Sequence, residues 1–98
     1  MPEIRFVVFH RPGARWRQDL PMLEQDGLQG HLDHYRQLKA AGKLSAGGPF
    51  PDAAGGGMMI TQPGLSASEV QAFAAADPCV TSGLLTVEIR PWIQAMQA

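Results

Sequence analysis

Three histidines, His10, His31 and His34, and one Asp-Pro pair, Asp77-Pro78, hold most of the proton-transfer chemistry open to this 98-residue chain. Imidazole titrates near neutral pH, so a histidine beside a carboxylate is the minimum set for general acid–base work. The carboxylate fixes the imidazole tautomer and leaves the far ring nitrogen to exchange protons. His31 and Asp77 are the candidates for such a catalytic pair.

Other chemistries fit less well. His31 and His34 have the i, i+3 spacing of two helical metal ligands, but no third ligand has matching spacing. The single Cys79 excludes four-cysteine zinc sites and any internal disulfide. The expectation is no metal and no cofactor. Gly55-Gly56-Gly57 has the composition of a phosphate cradle, yet it precedes a strand and lacks the Lys-Ser or Lys-Thr that would follow one. It reads as a hairpin loop. Cys79 has no activating base within sequence range and reads as packing, as do Met58 and Met59.

The elements that would position His31 and Asp77 follow from periodicity. Ile4 to Phe9 is apolar at nearly every position and reads as a strand covered on both faces. Arg11 to Gly27 is a loop with one turn near Met22-Leu23. Leu28, Leu32, Tyr35 and Leu38 define the apolar face of a helix over 28–41, closed by Gly42. Lys43 to Ala46 is a short strand ended by Gly47-Gly48-Pro49, and Met58 to Thr61 is another. Ser66-Ala67-Ser68-Glu69 has the form of a capping box and opens a helix that runs to about Ala76 and stops before Pro78. In the last strand, Gly83 to Trp92, Leu85, Val87 and Ile89 alternate with Thr86, Glu88 and Arg90.

The order β-α-β-β-α-β is that of an α+β, ferredoxin-like sandwich with right-handed crossovers. Strands one and three then lie in the centre of the sheet, and both helices cover one face. A second copy of the chain is the simplest cover for the other face. The same topology gathers the end of strand one, the start of helix one, Gly48-Pro49, the glycine loop and Asp77-Pro78 at one edge. His31 falls roughly 45° from the centre of its helix's apolar stripe and His34 roughly 105° away. Asp77 continues the inner face of the second helix at its C-terminus, where the macrodipole disfavours an anion. His31, on the neighbouring antiparallel helix, is its natural partner. The expected site has His10, His31, Gly48, Pro49, Phe50, Asp77 and Pro78 around it, with Ala53 to Gly57 as a mobile flap. His10, Gly48, Pro49, Phe50 and Pro78 are the expected substrate contacts.

Eight basic and nine acidic side chains give a net charge of −1, which offers no reason to expect nucleic acid or an anionic membrane. Ile4 to Phe9 is too short for a membrane span, and no targeting pattern follows it. A single domain over residues 1–98 and a cytoplasmic setting are expected.

Four motifs in order, His31-Leu32, Ala46-Gly47-Gly48-Pro49, Ala76-Asp77-Pro78 and Arg90-Pro91-Trp92, resemble those of the YciI-like (YCII-related) family from Ile4 to Trp92. The resemblance implies a dimeric α+β barrel and assigns the active pair to His31 and Asp77. Two positions depart from the family pattern. Leu28 stands where an arginine is usual, and Cys79 where an aromatic residue usually follows Asp-Pro. The implied function is cofactor-free elimination, isomerisation or hydrolysis of a small molecule by a homodimer or larger oligomer. The alternative is a non-catalytic module that binds a small molecule or a partner in the same cleft. A monooxygenase-like activity of related dimeric barrels is a third reading, resting on architecture alone.

Overall fold

The computed structural model describes residues 3–98. Met1 and Pro2, the first residues of the expected domain, lie outside the described residues. The elements are β1 (Ile4–Pro12), α1 (Leu28–Ala40), β2 (Leu44–Pro49), β3 (Gly57–Thr61), α2 (Ala67–Ala75), α3 (Pro78–Ser82) and β4 (Leu85–Ile93), with a single 3-10 turn at Met22–Glu24. The antiparallel sheet has the order β2-β3-β1-β4, as the ferredoxin-like reading requires.

Alternation along the paired strands decides which side chains meet the helices. Phe6 and Val8 of β1 pack with Tyr35 and Leu38 of α1 and with Val70 and Ala74 of α2. Met59, Val87 and Ile89 join them from β3 and β4. Val7, Phe9, Met58 and Ile60 occupy the opposite face, since Val7 pairs with Ile60 and Phe9 with Met58. No helix among the described residues is long and apolar enough to cross a membrane.

The local signals for α1 and α2 work as capping chemistry requires. Gly42 has φ +73, and its N–H donates to Lys39 O while the Lys43 N–H donates to Leu38 O. That is a Schellman closure, which a left-handed glycine makes possible. Ser66 Oγ accepts from the Glu69 N–H at 3.1 Å, and the Glu69 carboxylate takes Lys43 Nζ at 2.6 Å.

Four elements differ from the sequence reading. β1 continues past the apolar run to Pro12, because β4 pairs with it all the way from Ile93 to Leu85. β2 does not stop at the glycines, since Gly47 and Gly48 pair with Met59 and Met58. A short helix, α3, follows Pro78, and β4 accordingly starts at Leu85.

The loop joining β2 to β3 closes on a tight contact at Gly56. Gly56 is buried at φ +78, and a Cβ there would meet His10 O at 2.1 Å. Gly56→Ala is therefore expected to destabilise the fold by on the order of 2–4 kcal/mol, from backbone strain and the clash together. Gly64→Ala, at φ +98 with open space around it, should cost only about 1 kcal/mol. Urea unfolding midpoints of the two variants measure the difference, and equal losses would contradict the close-packing account.

Candidate active site

Asp77 is fully buried, so its carboxylate must find partners inside the protein. It is the N-cap of α3: Oδ1 accepts from the Cys79 N–H at 2.9 Å, and Pro78 occupies the first helical turn. Asp-Pro is thus a helix start as well as a helix stop, since proline at the first position gives up an N–H that would be unpaired anyway. The expected electrostatic conflict at the end of α2 is relieved by this cap. α2 ends at Ala75, and the anion faces the favourable end of the next helix.

Oδ2 of Asp77 lies 2.5 Å from His31 Nδ1 and 3.8 Å from His10 Nε2. His31, expected at the margin of its stripe, is in fact buried. One residue earlier, Gly30 lets α1 approach α3 closely, for a Cβ there would stand 3.3 Å from the Pro78 Cβ. Burial pushes the Asp77 carboxyl upward. The hydrogen bonds from His31 and the Cys79 N–H, with the histidines' charge, outweigh it and hold the carboxyl below the usual range. An ionised Asp77 fixes the proton of neutral His31 on Nδ1. Nε2 has no hydrogen-bond partner among the described residues and keeps its lone pair.

His10 and Tyr35 complete the cluster. The Tyr35 hydroxyl is 3.2 Å from His10 Nε2, and the rings of His10 and His31 meet edge-on at 4.6 Å. Burial, reinforced by the neighbouring His31, pushes the His10 imidazole down to about 4, so it is neutral at pH 7. Burial and the Asp77 charge push the Tyr35 hydroxyl up, so it stays protonated. Topology places His10 at the site, whereas Tyr35 reads from the sequence only as core. The missed signal is its position one turn after His31 on the same helical face, which puts a polar tip beside the imidazole. His34 is directed elsewhere. It stacks on Phe73 at 4.0 Å and bonds to Phe73 O at 2.6 Å, so it forms no metal pair with His31.

A cavity of about 400 Å³ opens between α1 and the β2–β3 half of the sheet. His10, His31 and Tyr35 line it with Gly48, Pro49, Gly56 and Gly57, and Leu and Met side chains make most of the remainder. Arg36 and Lys39 stand at its mouth as exposed cations. Of the residues expected at the site, Asp77 lies behind His31 rather than in the wall. Phe50 and Pro78 also lie outside the lining. Pro78 is turned to α1 at Gly30, while the Phe50 N–H donates to Gly56 O at 2.9 Å and closes the loop.

His10, His31 and Asp77 are the one trio of potential metal ligands among the described residues, with ligand atoms within 4.8 Å of one another. Two ligands on a tetrahedral zinc ion stand roughly 3.3 Å apart. The 2.5 Å between His31 and Asp77 is a hydrogen bond, and an ion would have to break it.

Comparison with known proteins agrees with this architecture. The family model described as "YCII-related domain" matches residues 5–93. The "Uncharacterized protein YjpA" of Bacillus subtilis (strain 168) is 35% identical over 68 residues, 69% of this chain and 78% of that protein. A 5-chloro-2-hydroxyhydroquinone dehydrochlorinase (TftG) from Burkholderia phenoliruptrix AC1100, solved with 2,5-dihydroxybenzoquinone, superposes with a TM-score of 0.67. It is 25% identical, and the alignment covers 90% of this chain and 92% of that one.

The depressed His10 value has a definite sign in stability. Between pH 6.5 and about 4 the unfolded chain takes up a proton at residue 10 that the folded one refuses. Stability should fall on acidification through that window, by on the order of 3 kcal/mol. Asp77, lowered from 3.8, loses its contribution only at still lower pH. His10→Gln should flatten the curve between pH 6.5 and 4 in urea unfolding. An unchanged slope would show that His10 is not neutral in the folded state.

Proposed function

The chain belongs to the YCII-related family, and we propose from that premise that it is a small-molecule enzyme working by acid–base chemistry without a cofactor. His31 is the proton acceptor and donor, and Asp77 is its orienting partner. The observation that carries this reading is the hydrogen-bonded His31–Asp77 pair, whose imidazole lines a cavity of ligand size. A substrate X–H loses its proton to His31 Nε2, and the buried carboxylate balances the imidazolium that forms. In an elimination, the electron pair left behind expels the leaving group, and His31 then returns its proton to solvent. The dehydrochlorination named for the structural neighbour is of that class, and it is the first reaction to try here. Isomerisation and hydrolysis need the same proton transfers.

The active form we propose is a homodimer joined through the helix-free face. Phe9, Met58 and Ile60 form a half-buried apolar band there beside the buried Val7, and none of them belongs to the core that the described helices build on the other face. An obligate interface of this kind buries on the order of 2,000 Å² or more. Sedimentation should give a dimer at micromolar concentration, and a stable monomer would refute the assembly.

Turnover tests the pair. Chloride release from 5-chloro-2-hydroxyhydroquinone, together with a panel of hydroxylated ring compounds, supplies the assay. His31→Gln and Asp77→Asn should each lower kcat by roughly 100-fold or more, with circular dichroism and the dimer unchanged. Rates equal to wild type in both variants would remove the acid–base mechanism. Ligand binding without turnover, equal in all three proteins, would identify a binding module instead.

A further inference from the structure

We propose that Tyr35 holds the substrate through an oxygen atom, donating its hydroxyl proton into the cavity, and that His10 is the positioning residue that keeps that proton free for the purpose. The inference rests on the reading of this cavity as a substrate site, and it names the substrate class: a flat, apolar-bodied ring carrying a hydroxyl or oxo group.

One hydrogen bond joins the Tyr35 hydroxyl to His10 Nε2, at 3.2 Å, and either residue could supply its proton. Suppose Tyr35 donates. His10 must then carry its proton on Nδ1, and that atom is buried with no partner among the described residues. A buried N–H without an acceptor is among the rarest features of folded proteins. Suppose instead that His10 donates. The proton on Nε2 then points toward the Tyr35 oxygen, with the Asp77 carboxylate 3.8 Å away to favour it, and only a lone pair is left unpaired at Nδ1. Both considerations put the proton on Nε2. The Tyr35 oxygen is therefore an acceptor from His10, and its own proton is uncommitted.

Tyr35 lines the same cavity as His31, and their ring centroids are 5.1 Å apart. The two residues sit one turn apart on α1. A ring held at one oxygen by Tyr35 presents an adjacent O–H or C–H to the imidazole. The rest of the lining suits the body of such a molecule, with Leu32, Met59 and Leu85 for contact. An acceptor oxygen that gains negative charge during the reaction would be held more tightly by the Tyr35 donor as the charge builds.

The test combines nitrogen NMR of the imidazoles with binding of 2,5-dihydroxybenzoquinone. His10 should carry its proton on Nε2 at neutral pH. Tyr35→Phe, which keeps the ring packing, should weaken the probe roughly tenfold. His10→Gln, whose amide can still donate to the Tyr35 oxygen, should keep the affinity, whereas His10→Phe should lose as much as Tyr35→Phe. A proton on His10 Nδ1, or equal affinity in wild type and Tyr35→Phe, overturns the assignment of Tyr35. Either result leaves the His31–Asp77 reading standing, because turnover in His31→Gln decides that separately. Equal losses in His10→Gln and His10→Phe would reduce His10 to packing. No binding by the wild-type protein would overturn the substrate class.

Discussion

A carboxylate with no exposure to water organises this end of the molecule. Burying the Asp77 charge is costly, and the cost is offset only if the surroundings supply hydrogen bonds of good geometry. The backbone of α3 supplies one and α1 supplies another. Asp77 therefore ties α1 to the α2–α3 junction by hydrogen bonds, alongside the packing of Leu28 on Cys79 and the close approach of Gly30 to Pro78. The second small core, built from Leu28, Cys79, Leu84 and Leu85, lies around the same junction and depends on the same alignment.

From that anchor the polar groups extend in one direction. Asp77 lies deepest, His31 stands between it and the cavity, and His10 and Tyr35 flank them. Asp77, His10 and Tyr35 are buried, so burial and neighbouring charges set their protonation states. The walls beyond the cluster are apolar, which lowers the local dielectric and strengthens every interaction within it. The cations Arg36 and Lys39 stay at the mouth, where solvent screens them.

Much of this arrangement was legible in the sequence because it rests on periodicity. Alternating or continuous apolar runs gave the strands, the order of elements gave the sheet, and helix phase brought His31 toward Asp77. What escaped is what periodicity does not encode. Gly47 and Gly48 belong to β2 through backbone pairing, which needs no side chain and leaves no compositional trace. α3 is a helix of five residues with too little length for a pattern, although Asp77-Pro78 held its start signal. Topology puts Phe50 and Pro78 near the site, but it fixes an edge and not the direction of a side chain. Tyr35 fits the apolar stripe, and periodicity carries no signal for its hydroxyl.

Gly30 has a consequence for how such a site could diversify. The distance from α1 to Pro78 is set by the absence of a methyl group, and His31 is the next residue along. A side chain at position 30 would press on Pro78, so α1 or α3 would have to give by a few tenths of an ångström, and the His31–Asp77 hydrogen bond spans that gap. Proton transfer is a steep function of that bond's length. Position 30 thus acts as a shim beneath the imidazole, and the reactivity of the pair is adjustable from a residue that has no chemistry of its own.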